Sequence, residues 1–406
     1  MQTSISQKFQ ANHEVKDAES ILRSCVHCGF CTATCPTYQL LSDELDGPRG
    51  RIYLIKQVLE GNEISRKTQT HLDRCLTCRS CETTCPSGVR YGRLVEIGRN
   101  IVDQQVSRNL LERFQRSVLR KILPYPKRFG LLYKSALLVR PLLPANLKRK
   151  LPLPLSSANP APANKQRKML VLQGCVQSVV TPQTNQAATR ILEKLGIELI
   201  SATAAGCCGA VSHHLSAIDE GLGFMRRNID AWWPHIEQGA ESIVMTASGC
   251  GAVVKDYAEL LKHDEHYASK ARKVSGLARD ISEILGNENL SVAKIKKPSV
   301  KVAFHSPCTL QHGQKINGVV EKILTNAGFT LTEVQDSHLC CGSAGTYSML
   351  QPVLSQQLLN NKLAALQSEQ PDIIVTANIG CQMHMASKAE IPVKHWLELL
   401  NENIAD

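Results

Sequence analysis

The chain of 406 residues has no uninterrupted run of about 18 apolar residues, the length that a membrane-crossing helix needs. The longest candidate, LLYKSALLVRPLLPANL, is broken by Lys134, Arg140 and two prolines. The first residues, MQTSISQKFQANHEVKD, contain neither the basic nor the apolar region of a secretory leader. We therefore expect no spanning helix and no secreted disulfide scaffold, and we predict a cytoplasmic protein with reduced thiols.

Motifs for nucleotide binding and for a hydrolase nucleophile are also missing from the sequence. It contains no P-loop and no G-x-S-x-G elbow, and Arg226 stands where a dinucleotide fingerprint beginning at Gly221 would need its third glycine. Aromatic residues make up only 4% of the chain, too few to form the base-stacking platforms of a nucleic-acid surface. We therefore expect neither a bound flavin or nicotinamide nor a nucleic-acid partner.

Cysteine is abundant, with sixteen residues, and eight of them lie within residues 1–100. They form two copies of C-x2-C-x2-C-x3-C-P, namely Cys25, Cys28, Cys31 and Cys35, and then Cys75, Cys78, Cys81 and Cys85. In two-cluster ferredoxins, three thiolates of such a run bind one [4Fe–4S] cluster and the fourth binds the other. The spacing thus predicts one cluster on Cys25, Cys28, Cys31 and Cys85, and a second on Cys75, Cys78, Cys81 and Cys35.

Two other uses of these cysteines fit less well. Disulfides need an oxidising compartment, and structural zinc usually pairs two C-x2-C units. Between the runs, the helical spacing of Ile52, Ile55 and Leu59 predicts a helical domain over residues 1–100 in place of the minimal ferredoxin sandwich. This arrangement resembles the cluster domain of succinate dehydrogenase-type iron–sulfur subunits.

Residues 101–167 contain no cysteine and account for the net positive charge of the chain. Residues 101–170 hold fifteen Lys and Arg against two acids, an excess larger than the net charge of +11 of the whole chain. SRNLLERFQRSVLRKIL and RFGLLYKSALLVRPLL predict basic helices, and LPLPLSSANPAPANKQRK predicts a Pro-rich linker. The mixture of leucine with Lys and Arg is typical of a helix on a membrane surface, or of a docking surface.

Residues 168–406 alternate short apolar runs with segments of helical period, which predicts parallel α/β sheets. The cysteines also reveal a duplication, because Cys175 to Cys207 and Cys308 to Cys340 both span 32 residues. We predict two tandem α/β lobes, over 168–290 and 291–406. The complete fold prediction is a helical bis-[4Fe–4S] ferredoxin-like domain followed by these lobes.

Each lobe carries four cysteines on loops that follow apolar runs, where the sites of α/β sheets lie. Lobe 1 has Cys175, Cys207, Cys208 and Cys250; lobe 2 has Cys308, Cys340, Cys341 and Cys381, with His384 nearby. We interpret both sets as candidate ligands of a further iron–sulfur cluster or of zinc. Redox-active vicinal thiols and buried structural cysteines are the alternatives. Neighbouring histidines, including His305 and His312, are candidates for hydrogen bonds that tune potentials.

AGCCGAVSHHL, TASGCGA, DSHLCCGSAGTYS and ANIGCQMH resemble the signatures of CCG, or cysteine-rich, domains of heterodisulfide reductases and of several dehydrogenase iron–sulfur subunits. Together with both cysteine runs, the whole chain resembles the iron–sulfur subunits of bacterial glycolate oxidases. One departure is that each heterodisulfide reductase repeat ends in C-x-x-C, whereas Val253 and His384 take the last position here. This speaks against a noncubane cluster, although His384 could supply a nitrogen ligand.

The resemblance implies an electron-transfer subunit of an oxidoreductase that turns glycolate into glyoxylate. It further implies FAD-binding partner subunits that remove the hydride, a quinone or similar membrane acceptor, and peripheral association with the cytoplasmic face of the inner membrane. Subunits for lactate or glycerol 3-phosphate oxidation share both modules. Two alternatives belong to other functional classes. The chain could be a thiol–disulfide catalyst, or a noncatalytic scaffold with zinc in the CCG lobes.

Overall fold

The computed structural model describes residues 1–144, 148, 149, 151, 153, 166–293, 295, 296 and 299–404. Most of the predicted Pro-rich linker lies outside the described residues. The described part is helical up to residue 144, and it contains two four-stranded parallel sheets from residue 167 onward. The prediction of a mixed helical and α/β fold is therefore confirmed.

Six helices build the N-terminal part. They are α1 His13–Ser24, α2 Pro36–Leu41, α3 Pro48–Leu59, α4 Arg66–Asp73, α5 Ser80–Thr84 and α6 Tyr91–Gln105. Asn12 caps α1 by accepting a hydrogen bond from the Glu14 amide. Helices α1, α3 and α4 pack around α6. At Gly98 of α6, an added Cβ would lie 2.7 Å from Ile55 of α3, so only glycine allows this close approach.

Two helices follow, α7 Leu110–Ile122 and α8 Pro126–Val139. Three arginines in or just before α7 pair with acids of neighbouring elements. Arg108 and Arg116 both contact Asp73, at 2.6 and 3.1 Å, and Arg120 lies 3.1 Å from Glu220. Part of the predicted basic segment thus attaches α7 to the helical part and to the first sheet region.

The first α/β lobe contains β1 Arg167–Val171, α9 Gln177–Val180, α10 Pro182–Lys194, β2 Ile197–Ser201, α11 Ala210–His214, α12 Ile218–Glu237, β3 Ile243–Met245, α13 Ser248–Lys255, α14 Tyr257–Leu260, α15 Ala268–Leu277, β4 Ala278–Asp280 and α16 Ile281–Asn287. The strand order is β2-β1-β3-β4, all parallel. In register, Arg167 pairs with Ile197, and Leu170 pairs with Ile243.

The second lobe contains β5 Lys301–His305, α17 Val319–Asn326, β6 Thr330–Leu331, α18 Tyr347–Leu350, α19 Pro352–Gln367, β7 Ile373–Thr376, α20 Ile379–Ala386, β8 Val393–His395 and α21 Trp396–Glu402. A π-helical turn, Thr309–Gly313, follows Cys308. The parallel order β6-β5-β7-β8 repeats that of the first sheet, which agrees with a duplication. In register, Val302 pairs with Ile373.

The two lobes share one apolar core, which includes Ile191 of α10, Ile284 of α16 and Trp396 of α21. The turns after β3 and β7 also meet, because the Ser248 amide donates to the Ala377 carbonyl at 3.0 Å. Loops at the carboxyl ends of both sheets are therefore brought towards each other. Within the described ranges, none of the helices combines the length and the apolar character that crossing a bilayer requires.

Candidate metal centres

The first predicted cysteine set lines one cleft of the helical part. Cys25, Cys28, Cys31 and Cys85 all stand in its wall, together with Cys81 and Tyr91. The loop turns at Gly29, whose φ of +89° lies in the left-handed region that glycine favours. Cys28 is exposed, and beside it Val26 and Phe30 are 68% and 61% exposed. This cleft thus lies at the protein surface.

The second predicted set lines an adjacent, more deeply buried cleft. Its wall contains Cys35, Cys75, Cys78 and Cys81. Cys81 and Tyr91 line both clefts, so the two cysteine sets are direct neighbours. The fourth cysteine of each run therefore lies with the first cysteines of the other run.

Polar groups surround Cys75 in the second cleft. The Tyr91 hydroxyl donates to its Sγ at 3.6 Å, and the Thr77 amide donates at 3.4 Å. Burial opposes ionisation of this thiol, but the positive charges of Arg51 and Arg99 and these hydrogen bonds lower the pKa of Cys75. The surroundings of Cys75 therefore favour the thiolate, the form that binds metals.

Arg51 is fully buried, and it is held on three sides. It donates to the His71 carbonyl at 2.7 Å, to Thr37 Oγ1 at 3.1 Å and to Asp46 Oδ1 at 3.3 Å. Asp46, also buried, is 2.7 Å from Arg74. Because its partners fix the guanidinium, a positive charge is held beside the second cleft.

In other thiols of these clefts, burial raises the pKa and so disfavours the thiolate. Burial and the neighbouring Cys25 raise the pKa of Cys31 to about 11. Burial, followed by the nearby Cys308, raises the pKa of Cys78 well above its usual value. Several thiolates can share such sites only with a strongly cationic group, because like charges otherwise repel in a buried place. The chemistry of both donor sets fits an iron–sulfur cluster.

The four thiols of lobe 1 contact one another in sequence, from Cys175 through Cys207 and Cys208 to Cys250. The contact with Cys207 and burial raise the pKa of Cys175 well above its usual value. Gly209, with φ of +93°, follows the pair, and an added Cβ would lie 2.7 Å from the Gly221 carbonyl oxygen. The structure therefore brings the four predicted residues of this lobe together.

The thiols of lobe 2 form the same chain of contacts. Cys308 Sγ lies 3.9 Å from Cys340 Sγ, and Cys341 contacts both Cys340 and Cys381. A ring nitrogen of His305 and the sulfurs of Cys341 and Cys381 all lie within 4.8 Å of one another. Burial, and then the charge of Lys362, lower the pKa of His305 to about 3, so its imidazole is neutral.

His384 and His305 occupy different positions around this chain of thiols. His384 Nε2 lies 3.1 Å from Ser355 Oγ, and His384 is not part of the His305, Cys341 and Cys381 group. Ligation by His384 stays a prediction. From the sequence, we expect His305 only to form hydrogen bonds that tune a redox potential. Nothing in the local sequence indicates that His305, at the end of β5, lies near Cys341 and Cys381.

Two family models match the chain where these sites lie. The 4Fe-4S dicluster domain matches residues 21–89, and the cysteine-rich domain matches residues 169–255 and 302–386. Over 403 residues, the chain is 58% identical to the glycolate oxidase iron–sulfur subunit of Escherichia coli, and 99% of each chain is covered. This chain belongs to the family of glycolate oxidase iron–sulfur subunits.

This family membership confirms the resemblance that the sequence motifs predicted. A probable member from Bacillus subtilis is 28% identical over 93% of this chain and 91% of its own length. Lactate utilization protein A of Bacillus velezensis is 25% identical over 56% of this chain and 96% of its own. A hypothetical protein from Helicobacter pylori has a similar fold, with a TM-score of 0.54 at 10% identity, covering 98% of this chain and 74% of that one.

Proposed function

We propose that this chain is the electron-transfer subunit of a glycolate oxidase, the oxidoreductase that converts glycolate into glyoxylate. The observation that carries the proposal is the pair of adjacent clefts, each lined by one of the predicted four-cysteine sets. The end-to-end identity of 58% to the E. coli subunit favours glycolate as the substrate of the complex. The lactate utilization relatives match at lower identity and over about half of the chain.

In this proposal, Cys25, Cys28, Cys31 and Cys85 hold one [4Fe–4S] cluster, and Cys35, Cys75, Cys78 and Cys81 hold the other. When bound, such clusters carry single electrons at potentials set by charge, hydrogen bonds and solvent exposure. Arg51, Tyr91 and the Thr77 amide stabilise negative charge on Cys75. These groups therefore favour the reduced state at the second site, while the exposed Cys28 leaves the first site open to solvent.

An FAD-binding subunit is the proposed source of the electrons, since hydride removal needs such a cofactor and the sequence contains no dinucleotide fingerprint. We place its contact at the surface around Cys28, where Val26 and Phe30 expose large apolar side chains beside the first cysteine set. Exposed apolar groups next to a redox site are typical of a transient docking surface. This contact would bring a donor close to the first cleft.

Peripheral attachment to the cytoplasmic face of the inner membrane is the proposed route to a quinone or similar acceptor. Helices α7 and α8 pack against each other and expose several large apolar side chains, among them Leu110, Phe114, Leu131 and Leu138. Arg113, Lys121, Lys127, Arg128 and Lys134 are exposed on the same two helices or between them. Apolar and basic groups together suit an anionic lipid surface.

Anaerobic iron and sulfide analysis of the purified chain tests the cluster assignment. Two cubanes require about eight iron and eight sulfide per chain, and loss of one cluster in Cys28→Ser should leave about four of each. Val26→Ser, an exposed change in the wall of the same cleft, serves as the matched control and should keep the full content. Cys78→Ser should lose the other cluster in the same way. Full iron content in both single variants would contradict the proposal.

A further inference from the structure

His305 is buried in an unusual way. It ends β5, it is 2% exposed, and its Nδ1 lies 2.9 Å from Thr376 Oγ1. Its Nε2 has no hydrogen-bond partner among the described residues. A buried polar atom without a protein partner costs free energy, and in native proteins it commonly marks a position that takes an ion or an ordered water. The imidazole therefore needs a ligand on its Nε2 side.

Two thiols lie close to this imidazole. A His305 ring nitrogen, Cys341 Sγ and Cys381 Sγ fall within 4.8 Å of one another. Tetrahedral zinc with bonds of about 2.0 to 2.3 Å separates its ligand atoms by roughly 3.3 to 3.8 Å, so small side-chain movements would close the site. From these donors we infer that lobe 2 contains a mononuclear zinc site formed by His305, Cys341 and Cys381.

The surrounding groups orient the proposed ligands. If the His305 Nδ1–H donates to Thr376 Oγ1, its Nε2 keeps the lone pair that a metal requires. Asn378 Nδ2 donates to Cys381 Sγ at 3.5 Å, which suits an ionised sulfur. Two thiolates and one neutral imidazole balance the charge of a divalent cation in a buried place. The thiol of Cys340 contacts that of Cys341 but lies outside the group of three donors, so a water would take the fourth position of the tetrahedral set.

Lobe 1 provides a comparison within the same chain. His305 precedes Cys308 by three residues, and Leu172 holds the equivalent position before Cys175. Leu172 is buried in an apolar cluster that also includes Cys208. A leucine side chain cannot ligate a metal, so this donor set belongs to lobe 2. The zinc site goes beyond the proposed electron-transfer function, since it uses none of the eight N-terminal cysteines.

The test is elemental analysis of zinc, iron and sulfide in the purified full-length chain, supplied with zinc and iron during expression. We expect about one zinc per chain in the wild type, at least a tenfold loss in His305→Leu, and retention in His305→Cys, because a thiolate can replace the imidazole. Cys381→Ser should lose zinc as His305→Leu does. Leu172→Met, at the equivalent position of lobe 1, is the control and should leave zinc unchanged.

Zinc at wild-type level in His305→Leu, or no zinc in the wild type, would overturn the inference. Iron well above about eight per chain that falls on His305→Leu would also overturn it, because the site would then hold iron. Failure of the electron-transfer proposal appears separately, as iron and sulfide content that does not respond to Cys28→Ser or Cys78→Ser. Circular dichroism of His305→Leu and His305→Cys confirms that each variant is folded.

Discussion

Thr83 and His312 are joined by a hydrogen bond of 2.8 Å, although 229 positions separate them in the chain. His312 Nε2 must carry the proton, because it lies 2.9 Å from the His338 carbonyl oxygen; Thr83 Oγ1 therefore donates to Nδ1. Thr83 stands in α5, so this bond connects lobe 2 to the helix that contains Cys81 and ends just before Cys85.

Further contacts hold the second cleft against lobe 2. The Tyr347 hydroxyl donates to the Arg74 carbonyl at 3.1 Å, next to Cys75. Cys78 packs in the same buried cluster as Cys308 and Cys340. The second cysteine set therefore borders the thiols of lobe 2, whereas Cys175 and Cys207 of lobe 1 pack with Phe224 and Tyr125.

Tyr91→Phe should lower the midpoint potential of the cluster that we propose for the Cys75 set. The hydroxyl that donates to Cys75 Sγ stabilises the more negative, reduced state. If this hydrogen bond is about 1 kcal/mol stronger in the reduced state than in the oxidised state, its loss shifts the potential of a one-electron couple by about 40 mV. Redox titration followed by EPR measures the shift. Tyr133→Phe, a buried tyrosine on α8, is the control, and equal potentials in both variants would contradict the prediction.

Gly98→Ala should destabilise the helical part by about 1 to 3 kcal/mol, because the new methyl group overlaps Ile55 and forces α3 and α6 apart. Gly276→Ala is the matched control. It is also in a helix, but an added Cβ meets no atom within 4 Å, so better helix propensity should make it neutral or stabilising. Urea unfolding under anaerobic conditions compares the two. Adding Ile55→Val to Gly98→Ala should recover part of the loss.

Because His395 is buried and neutral, the free energy of unfolding should decrease as the pH falls. Burial lowers its pKa to about 3, and its Nε2–H donates to the Thr246 carbonyl at 2.8 Å across the lobe interface. Below a pH of about 6.5 the unfolded chain binds a proton that the folded chain does not, so stability is complete above that pH and falls below it. At pH 5.5 the loss from this group is about 1.4 kcal/mol relative to pH 7.5.

His395→Gln measures this contribution directly. Glutamine can still donate to the Thr246 carbonyl but does not titrate, so the free energy of unfolding should fall less between pH 7.5 and 5.5 than in the wild type. The difference between the two proteins cancels every other titrating group. Equal pH dependence in both would mean that His395 is already protonated, or exposed, in the folded chain.

Leu131→Ser combined with Leu138→Ser should weaken binding to vesicles of mixed phosphatidylcholine and phosphatidylglycerol at least tenfold. Both side chains are exposed on α8, and burying a leucine contributes about 1.5 to 3 kcal/mol. Val353→Ser, at an exposed apolar position of α19, is the control and should bind as the wild type does. Cosedimentation with the vesicles measures the change. Unaltered binding of the double variant would show that α8 does not contact the membrane.

The sequence predicted the features that depend on spacing. The spacing of the cysteine runs predicts ligand sets that join Cys85 to Cys25 and Cys35 to Cys75; each pair lines a common cleft, and the ligation itself stays a prediction. The repeated 32-residue interval anticipated two sheets of the same strand order. Features that depend on tertiary contact were not predictable. Nothing near His305 in sequence reveals Cys381, and nothing near Arg108 reveals that its charge pairs with Asp73.

The crosswise assignment of the cysteines is tested most directly by EPR spectra of four single variants, Cys25→Ser, Cys85→Ser, Cys75→Ser and Cys35→Ser. In each reduced protein, the signal that remains belongs to the undisturbed cluster. The structure predicts that Cys85→Ser matches Cys25→Ser, and that Cys35→Ser matches Cys75→Ser, because these pairs share a cleft. A Cys85→Ser spectrum that matches Cys75→Ser instead would show that each run binds its own cluster, and would contradict the account.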